Sequence, residues 1–247
     1  MSNLVIDIGN SNIVVGIYNN EKKVFRFNTD VSKTSDEYYT IFKNSFGDIE
    51  IKNILISSVV PQLTNTIKYC FESRFNIIPK LIEPGYKSGV KINTDNSREV
   101  GSDLICGVAG AMQYSKSGIV IDLGTATKIS YYKDSTFVGV IIAPGIKTSA
   151  NSLWTSSAQL SEFPLQKPDR LFGKNTTECL QSGIVFGHIA MINGLVAMAL
   201  DELGDNVEIY LTGGLSYIVK NDLNFKFKYE KNLILDALNN MILRNED

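Results

Sequence analysis

Val5-Ile6-Asp7-Ile8-Gly9-Asn10-Ser11-Asn12 recurs as Val120-Ile121-Asp122-Leu123-Gly124-Thr125-Ala126-Thr127, 115 residues further along the chain. Each copy is a short apolar run that ends in an acid, one further apolar residue and a glycine, then a polar turn. Apolar runs match one another readily by chance. An acid, a glycine and hydroxyl or amide side chains at fixed offsets do not, so the pair marks a duplication. The flanks repeat as well. Ile13 to Tyr18 and Val24 to Phe27 follow the first copy; Lys128 to Tyr132 and Phe137 to Ile142 follow the second. Short β-branched runs separated by Gly- and Asn-bearing turns read as hairpins, so each half opens on three antiparallel strands.

Asp36 to Phe46 carries Tyr38, Tyr39, Phe42 and Phe46 at helical spacing, with Ser35 as its cap. Ile54 to Val60 reads as a buried strand, and Pro61 opens a helix that ends near Phe75. A helix from Leu104 to Met112 closes the first half. In the second half Pro144-Gly145 leads into a helix. A long helix from about Thr177 to Leu203, a strand from Val207 to Leu211, the turn Thr212-Gly213-Gly214 and a helix from about Glu230 to Leu243 complete the chain. The expected fold class is α/β, with two duplicated units at 1–116 and 117–247. No composition-biased linker separates them, so the junction at Ser115 to Gly118 is read as a hinge.

Composition limits the function classes. The 247 residues are 44% hydrophobic and 20% charged, ordinary for a globular protein. A net charge of −2 argues against a surface that tracks nucleic-acid phosphates. Asp7 interrupts the first apolar run too early for a signal peptide, and no stretch reads as approaching the roughly 18 apolar residues that span a bilayer. The expected compartment is therefore the cytoplasm, with neither membrane nor nucleic acid as partner. Cys70, Cys106 and Cys179 lack metal or disulfide spacing and read as buried thiols.

The two acid–glycine turns carry the chemistry. A carboxylate at the end of a buried strand can hold a hydrated Mg²⁺, which needs few protein oxygens. The turns 9–12 and 124–127 offer backbone N–H groups and uncharged side chains to phosphate. Gly213-Gly214 either lets a nucleoside approach the backbone or simply turns the chain into a helix. Asp103 either caps the helix that follows it or acts as a base. His188, in an apolar stretch, reads as a packing or interface residue, and Lys174 as a solvated charge.

Five segments in this order resemble type III pantothenate kinase, within the acetate kinase, sugar kinase and actin superfamily: Asp7 to Asn12 with Gly16, Gly101-Ser102-Asp103, Asp122 to Thr127, Gly139 to Gly145, and Gly173-Lys174-Asn175-Thr176. The resemblance implies two actin/ribonuclease-H-like domains with the active site in the cleft between them, and ATP-dependent phosphorylation of pantothenate, the first step of coenzyme A biosynthesis. It implies that Asp7, Ile8, Gly9, Asn10, Ser11, Asn12, Ile13 and Val14 bind ATP phosphates with Mg²⁺, and that Thr125 contacts ATP. Asp103 then falls on the catalytic base, Gly101, Ser102, Leu104 and Thr176 on pantothenate contacts, and Asp122 on the ligand of a monovalent cation, K⁺ or NH₄⁺. A homodimer that completes the acceptor pocket is implied, or half of a heterodimer. Three positions depart from the family pattern. Leu104 stands where Arg follows the catalytic Asp, Thr94 where an aromatic residue lies, and Lys128 where Thr is usual. The nucleotide side is kept and the acceptor side altered. The alternatives are therefore a weakened homologue, acting as regulator or heterodimer subunit, and a kinase of the same fold with a different hydroxyl acceptor.

Overall fold

The structure, a computed structural model, describes residues 1–156, 162–204 and 207–245. Along the chain run β1 (Ser2–Ile8), β2 (Asn12–Tyr18), β3 (Lys22–Asn28), α1 (Ser35–Phe46), β4 (Ile51–Ser58), α2 (Pro61–Arg74), β5 (Lys80–Leu81), β6 (Lys91–Ile92) and α3 (Ser102–Ala111). Then follow β7 (Gly118–Leu123), β8 (Ala126–Lys133), β9 (Thr136–Pro144), α4 (Ile146–Ser156), α5 (Thr176–Leu203), β10 (Glu208–Thr212), β11 (Lys228–Tyr229) and α6 (Leu233–Arg244).

The duplication is visible in the strand order. One sheet runs β3-β2-β1-β4-β5 and the other contains β9-β8-β7-β10-β11. The hairpin strands β1 and β2 pair antiparallel, as do β7 and β8, whereas β4 and β10 join β1 and β7 in parallel. Each sheet thus has the three-strand opening that the sequence pattern predicts on one side and crossover strands on the other, which makes it mixed.

The chain divides into two compact units: residues 1–114 with 135–137 and 232–247, and residues 115–134 with 138–231. The expected span of 117–247 for the second half is corrected at its end, because α6 belongs to the first unit. Its Leu235, Leu238, Met241 and Ile242 share a core with Val5, Leu55 and Cys106. Tyr18 donates to Asp236 Oδ1 at 2.6 Å, and Lys22 Nζ lies 2.7 Å from the same oxygen. Burial and the adjoining Asp236 hold the Tyr18 hydroxyl well above its ordinary pKa, so it stays a donor. The opposite face of the first sheet packs Ile6, Ile8, Ile13 and Val15 against Tyr38 and Phe42 of α1 and Leu63, Ile67 and Phe71 of α2.

Local signals explain the elements and two corrections. Thr34, not Ser35, caps α1: its hydroxyl accepts from the Glu37 N–H while the Glu37 carboxylate accepts from the Thr34 N–H, a capping box. α5 overturns the expectation that no stretch suits a bilayer, since it has 28 residues and a mean hydropathy of 1.9 over its most apolar window. Ile184, Val185, Ile189, Ile192 and Val196 on this helix belong to the second unit's core, with Ile119, Ile121 and Leu211. Cys70 and Cys106 are buried as expected, but Cys179 is exposed.

Candidate functional site

In the first unit the candidate residues collect where β1 and β4 end and α3 begins. Parallel pairing sets Asp7 beside Ser57 and Ile8 beside Ser58. Ser102, the first residue of α3, closes this corner: its hydroxyl lies 3.1 Å from Ser57 Oγ, accepts from the Ser58 N–H at 3.0 Å and donates to the Ser58 carbonyl. Sequence reading passed over Ser57 and Ser58. The signal available was a polar pair ending the apolar run Ile54-Leu55-Ile56. The turn after Asp7 is braced from below, with Gly9 N–H donating to the Asn12 carbonyl and Thr29 Oγ1 donating to the Gly9 carbonyl at 2.6 Å. Asn10, Ser11 and Asn12 are exposed, while Ile13 is buried and Val14 half-buried in β2.

Asp103 is the second residue of α3. The helix is capped by Gly101, without a side-chain cap bond, so Asp103 is not the N-cap. Its Oδ1 accepts the Leu104 N–H at 2.8 Å, a donor that also reaches the Gly101 carbonyl at 3.1 Å. The carboxylate lies over Gly101, where a Cβ would stand 2.6 Å from Oδ1. Only glycine leaves that space. Asp7 and Asp103 also act on one buried group: burial first, then these two charges, hold the Cys106 thiol well above its ordinary pKa, against a hydrogen bond from Ser57 that lowers it. Leu104 is half-buried. Thr94 Oγ1 is buried with no hydrogen-bond partner among the described residues.

In the second unit the repeat rebuilds the turn with one residue fewer. Leu123 pairs with Thr127, whereas Ile8 pairs with Ile13. Gly124 N–H donates to the Ala126 carbonyl, and the Thr125 carbonyl accepts from Gly145 N–H and Thr148 Oγ1, leaving Thr125 exposed. Gly213 closes the turn from the side at φ +99°, a conformation that side chains disfavour, and a Cβ there would lie 2.4 Å from Leu123 N and 2.6 Å from Asp122 Oδ1. A small cavity adjoins this turn, lined by Leu123, Gly124, Thr127, Ile146, His188 and Leu215. His188 is a packing residue, as expected: both ring nitrogens lie 3.1 Å from backbone carbonyls, of Ile184 and Pro144. Asp122 faces Lys128, whose Nζ lies 2.6 Å from Oδ2. Thr176 begins α5 just after Asn175, which caps the helix by accepting from Glu178 N–H.

The type III pantothenate kinase family model matches residues 3–198. The chain belongs to the type III pantothenate kinase family. A type III pantothenate kinase from Acholeplasma laidlawii is 38% identical over 244 residues, covering 98% of each chain. Two solved structures share the fold. One, described as a Baf family transcriptional activator from Campylobacter jejuni, is 23% identical with a TM-score of 0.64 over 98% of each chain. The other, a polyphosphate/ATP-glucomannokinase from Arthrobacter sp. strain KM, is 14% identical with a TM-score of 0.51, covering 98% of this chain and 99% of its own. The fold is thus that of the sugar kinases and actin-like ATPases, and membership in the type III pantothenate kinase family makes this chain a kinase that uses ATP with a divalent metal.

Proposed function

We infer that the chain phosphorylates pantothenate to 4'-phosphopantothenate with ATP, the first step of coenzyme A biosynthesis. The observation that carries this reading is the Asp103 carboxylate on the first turn of α3, held over Gly101 at the same corner as Asp7 and the Ser57–Ser102 contact. In this reading Asp103 accepts the proton of the pantothenate hydroxyl as its oxygen bonds to the γ-phosphorus, while the bond from that phosphorus to the bridging oxygen breaks and leaves with ADP. Ile8 to Val14 and Thr125 hold the phosphates through uncharged donors, so positioning supplies most of the rate.

Asp7 suits Mg²⁺, since one strand-end carboxylate leaves the remaining ligands to water and phosphate, and no cluster of three His, Cys, Asp or Glu exists among the described residues. When bound, the ion would offset phosphate charge. Gly101, Ser102, Leu104 and Thr176 are assigned to the acceptor, and the buried, unpartnered Thr94 hydroxyl is a further group able to meet it. The donor set opposes the monovalent cation implied at Asp122, because Lys128 already holds that carboxylate.

A homodimer is supported by α5, where Gly183, Gly187, Ala190, Gly194 and Ala197 form an exposed run of small residues at helical spacing. Such a stripe lets a second helix approach closely. The cytoplasm is the compartment this reading implies. A second reading, a weakened homologue or a kinase for another hydroxyl acceptor, is favoured by the aliphatic Leu104 where a carboxylate-binding Arg belongs.

The test is ATP turnover with pantothenate by the purified protein and by Asp103→Asn, which keeps the shape and loses the base. Turnover by the parent and a fall on the order of 10²–10⁴-fold in the variant, with unchanged nucleotide affinity, is the expected result. Nucleotide binding without pantothenate turnover in the parent would favour the second reading. Equal rates in the two proteins would remove Asp103 from the mechanism.

A further inference from the structure

The two copies of the turn differ in what faces the acid. In the first, the longer turn sets Asp7 opposite Val14 across the hairpin. In the second, the shorter turn sets Asp122 opposite Lys128. Cross-strand neighbours on one face are close enough to pair, and here Nζ lies 2.6 Å from Oδ2. Neither side chain is at the surface in the ordinary sense, with exposures of 15% for Lys128 and 17% for Asp122. Ions withdrawn from water to that extent must be compensated, so the pair holds itself in place. On its other side Asp122 Oδ1 packs against Gly213, so the carboxylate is wedged between a glycine turn and an ammonium. A free monovalent cation bound to this carboxylate would have to displace the ammonium or sit against a like charge.

We propose that the Lys128 ammonium is this chain's monovalent cation, a tethered positive charge at the second acid–glycine turn that makes the nucleotide site independent of K⁺ and NH₄⁺. An alkylammonium carries the same single charge as either ion and binds carboxylate and phosphate oxygens by donating hydrogen bonds. Its attachment to β8 removes the cost of capturing an ion from solution and with it the dependence on salt identity. The proposal rests on the reading that this turn serves a nucleotide.

The test is calorimetric affinity for a non-hydrolysable ATP analogue with Mg²⁺, in potassium chloride and in choline chloride at equal ionic strength, alongside turnover with pantothenate in both salts. The parent is expected to behave alike in both. Lys128→Thr is expected to bind about tenfold more weakly in choline, the ratio that 1.4 kcal/mol sets, and to recover in potassium. Lys128→Arg keeps the charge and should follow the parent. A parent that gains tenfold from potassium would overturn the proposal, as would a folded Lys128→Thr indifferent to potassium. Should Lys128→Thr fail to fold, the parent's response to potassium decides alone. Failure of the parent to bind nucleotide in either salt would instead overturn the proposed function, an outcome distinct from potassium-dependent binding.

Discussion

Gly101→Ala is the most searching perturbation of the catalytic corner, because it moves one carboxylate while adding only one carbon. The new Cβ would stand 2.6 Å from Asp103 Oδ1, and ordinary contact begins near 3.4 Å, so the carboxylate must retreat by about 0.8 Å. The clash is with the end of a side chain, and Gly101 has φ −60° and ψ 145°, which alanine adopts without strain. Stability should therefore change by no more than about 1 kcal/mol, the scale of an N-cap substitution. Positioning is far less forgiving: a misplacement near 1 Å can cost about 10²-fold in rate. The expected result is a kcat lowered roughly 10²-fold, with nucleotide affinity and circular dichroism unchanged. Steady-state kinetics with pantothenate and a thermal melt decide it. A folded variant with the parent's kcat would show that Gly101 does not set Asp103 for the reaction, and a variant that unfolds would make the corner structural.

Two further outcomes follow. For a working kinase that draws its carboxylate donors from elsewhere, Leu104→Arg should raise the pantothenate KM and lower the melting temperature, since it sets an unpaired guanidinium at a half-buried position; a KM lowered about ten- to a hundred-fold, the worth of one charge-assisted contact, would identify the weakened homologue instead. Burial penalises the thiolate and pushes Cys70 up to about 12, so at pH 8 only about one in 10⁴ of its thiols is ionised, and Cys106 is raised as well. Mass spectrometry after iodoacetamide at pH 8 should find the exposed Cys179 labelled and the other two labelled only once the protein is unfolded.

What could be read from the sequence was whatever is encoded locally. The acid–glycine repeat foretold two sheets with the same strand order, because strand, turn and acid lie within a dozen residues of one another. Thr34 with Glu37 was also legible as a capping box, and choosing Ser35 overlooked the acid three residues on. The misses are of another kind. The amphipathic pattern of α6 says that one face is buried, not which sheet buries it, so its return to the first unit lay beyond any local signal. The pairing of Lys128 with Asp122 depends on register, and shortening a turn by a single residue decides what stands opposite an acid. Seen from the family resemblance, Lys128 was a departure from a pattern; seen from the hairpin, it is the partner of the neighbouring carboxylate.

The place of α6 bears on how the chain is made. Val5 lies in β1 and Leu235 in the last helix, yet the two share a core separated by 230 residues of sequence. A ribosome adding about 5–20 residues per second needs roughly ten to fifty seconds to bridge that interval. For much of that time the face of the first sheet bearing Val5 and Leu55 has Cys106 and Ala109 of α3 against it but lacks α6, while the second unit already has the strands and helices of its own. The later unit can therefore mature before the earlier one, and the nascent protein presents a partly covered apolar sheet face to chaperones, or to neighbouring chains, until α6 emerges.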